Sequence, residues 1–558
     1  MQIVIPMSGF GERFRRAGYT VPKPLIEIDG KTIIEHVVDM FPGETNFTFI
    51  VNQDHLDNPS FGMEAELRRL APEGKIFPIA PHKLGPINAV MQAISILDLN
   101  EPTIVNYCDF TCLWDWENFK SFVKENHLKG CLPAYRGFHP HSLGTTNYAY
   151  IRETNGKVQD IQEKQPFTEN RMNEFASSGT YFFSSGQLMK EAFEYVLENN
   201  LDVNGEYYVS MAYKYLMQLS AETFVYPLQH FMQWGTPEDV QEYERWSKTF
   251  RNLIRQEAKF RSKNDVLVMP MAGLGKRFSD EGYSETKPLI KVSGKPMVIQ
   301  SANSLPKSVE NVFVLRKDMP GYKDVEKEIG SQFKNAVFEE LSKVNDGQAR
   351  TIESGVEQIP DTGSIVVGAC DNGLIFDDLK YQQIIDDKET DVLVWVTRGH
   401  TNAIRFPKMY GWARTVEDRV TGVSVKEPLD DPASDPIVIG TMTFKSKSIL
   451  QKSLQSLFKR NGKINGEFYL DSLIDDAIRL GYNVKQFEVE SYISWGTPND
   501  LRTFQYWQSC FHFWPGHPYK YYNDIWVDAE ASIFLSEELR LSRPEIVAGE
   551  IGRASCRE

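Results

Sequence analysis

The sequence sets glycines, an arginine and a lysine-proline pair at a spacing suited to holding phosphates. Ser8-Gly9-Phe10-Gly11-Glu12-Arg13 follows the apolar run Ile3-Val4-Ile5-Pro6, and Lys23-Pro24 begins ten residues beyond Arg13. Glycines after a strand let the backbone come close to a phosphate chain, whose charge is met by bare N–H groups. Two cations beside such a loop suit a triphosphate. Taken alone, a Gly-x-Gly is equally a tight strand–helix turn. Gly11 runs on into Glu12-Arg13 rather than Lys-Ser/Thr, so it is not a Walker loop. Phe14 and Phe278 stand at the third glycine position of the dinucleotide fingerprint, which excludes that motif as well.

The pattern occurs twice. Gly273-Leu274-Gly275-Lys276-Arg277 and Lys287-Pro288 repeat it 264 residues later. Cys108-Asp109 returns as Cys370-Asp371, and Lys164 as Lys426, at an offset of 262. Asn204-Gly205-Glu206-Tyr207-Tyr208 returns as Asn465-Gly466-Glu467-Phe468-Tyr469 at 261, as does Trp234-Gly235-Thr236-Pro237 at Trp495-Gly496-Thr497-Pro498. A three-residue drift over so long a span marks a tandem duplication. Surface lysines and arginines often serve only solubility, and repeated spacing argues against that reading here. The expected organisation is a domain over 1–245, a basic helical linker over 246–264, a second domain over 265–508 and an extension over 509–558. The last ten residues, from Gly549, resemble translated adapter sequence and are expected to lie outside the native fold.

The elements that must carry these residues alternate. Strands are expected at 3–6, 47–51, 103–107 and 180–183, then at 266–269, 312–315, 364–367 and 392–396. Residues 88–97 and 120–126 have helical spacing. Alternating strands and helices imply an α/β fold with a mostly parallel sheet covered on both faces. Ligands of such sheets bind beyond the carboxyl ends of the strands. Asp109 and Asp371 follow apolar strands, where a carboxylate serves either a cation or a helix N-cap. Glu206 and Glu467 are equally at home at the start of a surface helix.

On the Gly-x-Gly-x-Arg loop followed by Lys-Pro, the chain resembles the sugar-phosphate nucleotidyltransferases. The resemblance implies two tandem Rossmann-like, mixed-sheet α/β domains of the glycosyltransferase-A type. It implies attack of a phosphate monoester on the α-phosphorus of an NTP, assisted by Mg²⁺, with loss of pyrophosphate. By that resemblance Gly9, Gly11, Gly273 and Gly275 hold the nucleotide, while Arg13, Lys23, Arg277 and Lys287 neutralise the transferring phosphates. Asp109 and Asp371 match the metal ligand. Lys164, Glu206, Lys426 and Glu467 match the acceptor side. Gly347-Gln348-Ala349 matches the base-binding loop, whereas the first copy has Gly85-Pro86-Ile87 and loses a hydrogen-bonding side chain. The family's second acidic metal ligand is replaced by Gln233 in one copy and Ser494 in the other, which weakens the metal site of the second copy most. The implied partners are an NTP and a phosphorylated sugar, polyol or choline-like substrate, with surface-polysaccharide precursors as the implied product class.

Composition bounds the alternatives. Lys and Arg total 61 against 76 Asp and Glu, a net charge of −15, which disfavours nucleic-acid binding. No apolar run approaches the ~18–20 residues of a membrane span, and the N-terminus lacks a signal-peptide pattern. The six cysteines are irregularly spaced, which favours a reducing, cytoplasmic setting over a disulfide framework. Cys108 and Cys112 have poor zinc spacing. Trp234 and Trp495 either wall an acceptor pocket or pack the core. Two other readings stand beside the enzyme: a regulatory protein that binds nucleotide without turnover, and a glycosyltransferase on the same fold. The latter lacks the second Asp of Asp-x-Asp, since Thr111 and Gly373 stand there.

Overall fold

Short, fully apolar segments become strands here because both of their faces are covered. The structure, a computed structural model, describes residues 1–144, 147–256, 263–359 and 363–521. The chain divides into two compact units, Met1–Ser247 and Lys248–Ala529 as far as the described residues reach.

In the first unit the main sheet contains β1 (Gln2–Met7), β2 (Phe47–Asn52), β3 (Lys75–Ile79), β4 (Thr103–Asn106) and β5 (Gly130–Tyr135). It continues with β6 (Ala149–Thr154), β7 (Lys157–Glu163), β8 (Phe175–Ser177), β9 (Thr180–Phe183) and β10 (Thr223–Pro227). The spatial order is β8-β6-β7-β10-β5-β9-β4-β1-β2-β3. β1 runs parallel to β2 and β4, with Ile3 opposite Phe47 and Val4 opposite Val105. β9 runs antiparallel to both β4 and β5, so the sheet is mixed. Every residue of β1, β2 and β4 is buried. Val4, Ile50, Val105 and Leu132 pack into one core with Ile87 and Val90 of helix α1 (Pro86–Gln92). Each such side chain contributes about 1.5–3 kcal/mol on burial.

The second unit repeats this plan. Its sheet contains β11 (Lys263–Pro270), β12 (Lys307–Arg316), β13 (Ala336–Leu341), β14 (Ile365–Val367), β15 (Val392–Thr397), β16 (Gly411–Val416), β17 (Arg419–Val425), β18 (Ile437–Phe444) and β19 (Val484–Glu488). The order β13-β12-β11-β14-β18-β15-β19-β17-β16 is the first sheet's order read from the other edge. The difference is that β18 spans what β8 and β9 divide at Ser178-Gly179. Alternate residues of β11 serve opposite faces: Val266 and Val268 join one core, Leu267 and Met269 the other.

Each expected strand overlaps an observed one, with Tyr107 and Ser364 falling just outside β4 and β14. Strands β3, β5–β8, β10, β13 and β16–β19 were not expected; in the β6–β7 and β16–β17 hairpins polar residues interrupt the apolar run. The helix expected over 88–97 ends at Gln92 and gives way to a single 3₁₀ turn. The expected linker is corrected. Helix α2 (Pro237–Gln256) takes up 246–256, Lys263 already belongs to β11, and 257–262 lie outside the described residues. The boundary expected at 508/509 falls inside helix α3 (Pro498–Phe513). Pro515 to His517 form the expected turn, while residues 524–541 and the final ten lie outside the described residues. Among the described residues, no helix is long and apolar enough to cross a membrane.

One close approach fixes the mouth of each sheet. Gly347 has φ 130°, and a Cβ there would lie 2.4 Å from the Phe468 nitrogen. The approach lets the Phe468 N–H donate to Asp346 O at 2.9 Å and Ala349 N–H to Phe468 O at 3.0 Å. Gly85 does the same against Tyr207, at 2.6 Å. Gly347→Ala is therefore expected to destabilise the second unit by about 2 kcal/mol or more. Gly273→Ala, where a Cβ meets nothing within 4 Å, serves as the near-neutral comparison in denaturant melts. Equal melts for the two variants would contradict this.

Candidate active site

The Gly-rich loops lie just past the carboxyl ends of β1 and β11. Gly11 and Gly275 are left-handed, with φ 61° and 63°, and each turns the chain into a short helix carrying the arginine. In the first unit Gly9, Gly11, Arg13, Lys23, Gly85, Asp109 and Glu206 line one cavity of about 540 Å³. In the second, Gly273, Gly275, Arg277, Lys287, Gly347, Gln348, Asp371 and Glu467 line one of about 520 Å³. The nucleotide-side residues picked out from sequence thus meet in space in both units.

An ion pair sits at the centre of each cavity wall. Lys23 Nζ donates to Asp109 Oδ2 at 2.6 Å, and Lys287 Nζ to Asp371 Oδ2 at 2.6 Å. Each ammonium also reaches a backbone carbonyl of the Gly-Thr-Pro turn, Gly235 O at 3.4 Å or Gly496 O at 3.2 Å. Burial alone would favour a neutral Lys287, but the Asp371 carboxylate outweighs it and holds the ammonium above its usual range. Backbone bonds fix the carboxylates: Trp234 N–H donates to Asp109 O at 2.7 Å and Trp495 N–H to Asp371 O at 2.8 Å. Both tryptophans are buried and pack in the core. Burial pushes the Cys108 and Cys370 thiols up to about 12.

The acceptor-side lysines sit in strained backbone. Lys164 and Lys426 have φ 59° and 64°, uncommon for residues other than glycine. Lys164 lies with Arg13 and Asp109 around a second cavity of about 210 Å³, and its Nζ donates to the Tyr208 hydroxyl at 2.5 Å. That hydroxyl donates in turn to Glu206. Lys426 does not line the 520 Å³ cavity; its Nζ lies 5.6 Å from the Tyr469 ring centre and donates to Met409 O.

The structure adds residues that sequence reading passed over. Asp239 and Asp500 close Thr-x-x-Asp boxes at the starts of α2 and α3. The boxes were legible signals, but only as caps. In space these carboxylates converge with Asp109 and Asp371 on the same side of the Gly-Thr-Pro glycine. Gln233 Nε2 donates to Asp239 at 2.6 Å, and Ser494 Oγ to Asp500 at 3.2 Å. The two residues standing at the family's missing acidic position therefore hold a neighbouring carboxylate. Burial pushes Asp239 up to about 6 despite those hydrogen bonds.

This donor set suits a hard cation. Among the described residues, no group of three or more His, Cys, Asp or Glu is placed to hold a metal. Mg²⁺ is commonly bound by one or two carboxylates, with phosphates and water completing the shell. Asp109 with Asp239, and Asp371 with Asp500, fit that mode.

The nucleotidyl transferase family model matches residues 3–216. Over these residues the first unit is similar to the nucleotidyl transferase family. The match takes in the Gly-rich loop, Lys23, Asp109, Lys164 and Glu206 of the first unit. A mannose-1-phosphate guanyltransferase beta-B of Xenopus laevis is 27% identical over 194 residues, 34% of this chain and 51% of that protein. The bifunctional protein GlmU of Bacillus licheniformis is 29% identical over 212 residues, 37% of this chain and 42% of that protein. The chain thus spans about half the length of the curated relatives it matches. A solved nucleoside-diphosphate-sugar pyrophosphorylase from Vibrio cholerae RC9 is 23% identical, with 43% of this chain and 98% of that one covered and a TM-score of 0.36.

Glu163 supplies a direct check on the burial of this site. Burial pushes its carboxyl up from 4.5 to about 7, against the Ser210 hydrogen bond that lowers it. The folded chain therefore keeps this proton longer than the unfolded chain. The resulting stabilisation is complete below pH 4.5 and is lost as the pH rises through about 7. Glu163→Gln is expected to remove that loss, on the order of 1–3 kcal/mol between the two limits, in denaturant melts of the first unit's transition. A pH profile unchanged by the substitution would contradict the buried placement.

Proposed function

We propose that each unit transfers a nucleoside monophosphate from an NTP to a sugar phosphate or similar phosphorylated metabolite, releasing pyrophosphate. The observation that carries this reading is the Lys–Asp pair at 2.6 Å beside a Gly-x-Gly-x-Arg loop, present in both units. The family of the first unit and its relatives support it.

In this reading the Gly-rich loop and the Gly85 or Gly347 loop hold the nucleotide. Arg13 and Lys23, or Arg277 and Lys287, face its phosphates. Lys164 or Lys426 holds the acceptor phosphate. An acceptor phosphate oxygen forms a bond to the α-phosphorus while the α–β bridging P–O bond breaks. The electron pair leaves with pyrophosphate, so charge develops on the bridging oxygen and the cations stabilise it. Asp109 holds the Lys23 ammonium in position before substrate arrives, which removes an ordering cost at the moment of reaction. Mg²⁺, held by Asp109 with Asp239 or Asp371 with Asp500, would neutralise phosphate charge and orient the triphosphate. The product is a nucleotide-activated sugar or polyol of the kind that feeds polysaccharide assembly.

Pyrophosphate release by the full chain, over four NTPs and a panel of sugar, polyol and choline phosphates, tests this. Lys23→Ala and Lys287→Ala are each expected to silence one unit. Together they should lower turnover by about 10²–10³-fold. Removing divalent cation with EDTA should abolish release, and added Mg²⁺ should restore it. Undiminished release from the folded double variant would sink the proposal.

A further inference from the structure

The two units share their phosphate-facing charges but differ where an acceptor would lie. In the first unit the 210 Å³ cavity is lined by Tyr148, Glu163, Lys164 and Tyr181. Ser210 Oγ donates to Glu163 at 2.6 Å. The Tyr148 hydroxyl is buried with no hydrogen-bond partner among the described residues. Tyr107 and Tyr181 both lie within electrostatic reach of Glu163. This is a polar surface, with a carboxylate that accepts hydrogen bonds and hydroxyls that donate them.

The repeat register gives the counterpart of each group. Tyr148 matches Tyr410 and Lys164 matches Lys426, both lysines in the same left-handed backbone. At the position of Glu163 stands Val425, packed against its unit's apolar core. At the position of Ser210 stands Asp471. Its carboxylate lies against Gly411, where a Cβ would meet Oδ2 at 2.1 Å, and it acts on Lys426. Burial pushes Asp471 up to about 6, and the charge of Lys426 opposes the shift. Tyr107 and Tyr181 are replaced by Ala369 and Met442. A carboxylate is therefore kept beside the acceptor-side lysine in each unit, but it comes from a different element. The strand supplies it in the first unit, at the end of β7. The loop after Asn465-Gly466-Glu467 supplies it in the second.

We propose that this transposed carboxylate, Glu163 in one unit and Asp471 in the other, sets acceptor choice, and that the two units take different acceptors. The first takes a polyhydroxylated phosphate, read by Glu163 and the phenols. The second takes a less hydroxylated one, with an apolar edge toward Val425 and a hydrogen-bond donor toward Asp471. This rests on the nucleotidyl-transfer reading above.

The test uses the full chain with one unit silenced by Lys287→Ala or by Lys23→Ala. Each is assayed for pyrophosphate release with glucose 1-phosphate, a 6-deoxyhexose 1-phosphate, glycerol 3-phosphate and phosphocholine. The first unit should rank glucose 1-phosphate highest, and the second a less hydroxylated member. Glu163→Gln in the first case and Asp471→Asn in the second should raise the acceptor KM on the order of tenfold to a hundredfold. The NTP KM should stay within about twofold. Exchanging the pair in the first unit, Glu163→Val with Ser210→Asp, should move its ranking toward that of the second. Identical rankings for the two units would overturn the proposal, as would an acceptor KM unmoved by Asp471→Asn. Absence of pyrophosphate from a chain with every pair would refute nucleotidyl transfer by that unit. Calorimetric binding of the same four phosphates to that chain then decides the present inference: different rankings support it and equal rankings overturn it.

Discussion

The contact on which each site depends is a lysine held against an aspartate. Lys23 comes from the turn after the Gly-rich loop, Asp109 from the end of β4, and the carbonyl that Lys23 also meets from the Gly-Thr-Pro turn. Three segments far apart in sequence are thus tied at one ammonium. The pair is only partly exposed, with the two side chains retaining 18% and 31% of their accessible surface. Exposed pairs contribute about 0–1 kcal/mol, whereas losing one partner of a buried pair costs several. Here the pair is buried enough to fix geometry and open enough that, in the proposed reaction, the lysine can exchange its carboxylate for phosphate. Lys287 and Asp371 repeat the arrangement with 19% and 29% exposure, so the duplication preserved the balance as well as the residues.

Around that tie the backbone leaves little freedom. Gly85 and Gly347 let the nucleotide-side loop press against the segment carrying Glu206 or Glu467, through bonds that any side chain would block. The left-handed lysines at 164 and 426 are held by their own backbone N–H groups, which donate to Tyr148 O and Tyr410 O. Strain of this kind persists only where the surroundings impose it. It occurs at corresponding positions of both units, on the acceptor side of each site.

Much of this was legible in the sequence, for identifiable reasons. Strands buried on both faces read as plain apolar runs, so β1, β2, β4, β11 and β14 were found from composition alone. The Gly-rich loops, Lys-Pro pairs and Asp109 were found because the repeat fixed their register. What escaped was non-local. Asp239 carries only the signal of a helix cap, since nothing in one dimension places it beside Gly235 with Asp109. Glu163 carried no signal in one dimension, since its burial depends on β6, β10 and the Ser210 turn around it. The residues expected as a linker from 246 belong in part to the helix over 237–256, whose apolar Trp246, Phe250, Leu253 and Ile254 stand at helical spacing among cations.

The duplication explains why the differences fall where they do. Phosphate groups present the same charge and geometry whatever they are attached to, so the residues facing them have no latitude in either unit. An acceptor's organic part has no such fixed demand. A carboxylate there must stay close to the lysine to offset its charge, yet it can be supplied from either of two neighbouring elements. Glu163 with Ser210, and Val425 with Asp471, are two solutions to that one electrostatic constraint. Each intermediate single change would leave the lysine with one carboxylate more or one fewer than either unit holds beside it. Two linked domains that each keep one solution are therefore less readily interconverted than their shared fold suggests.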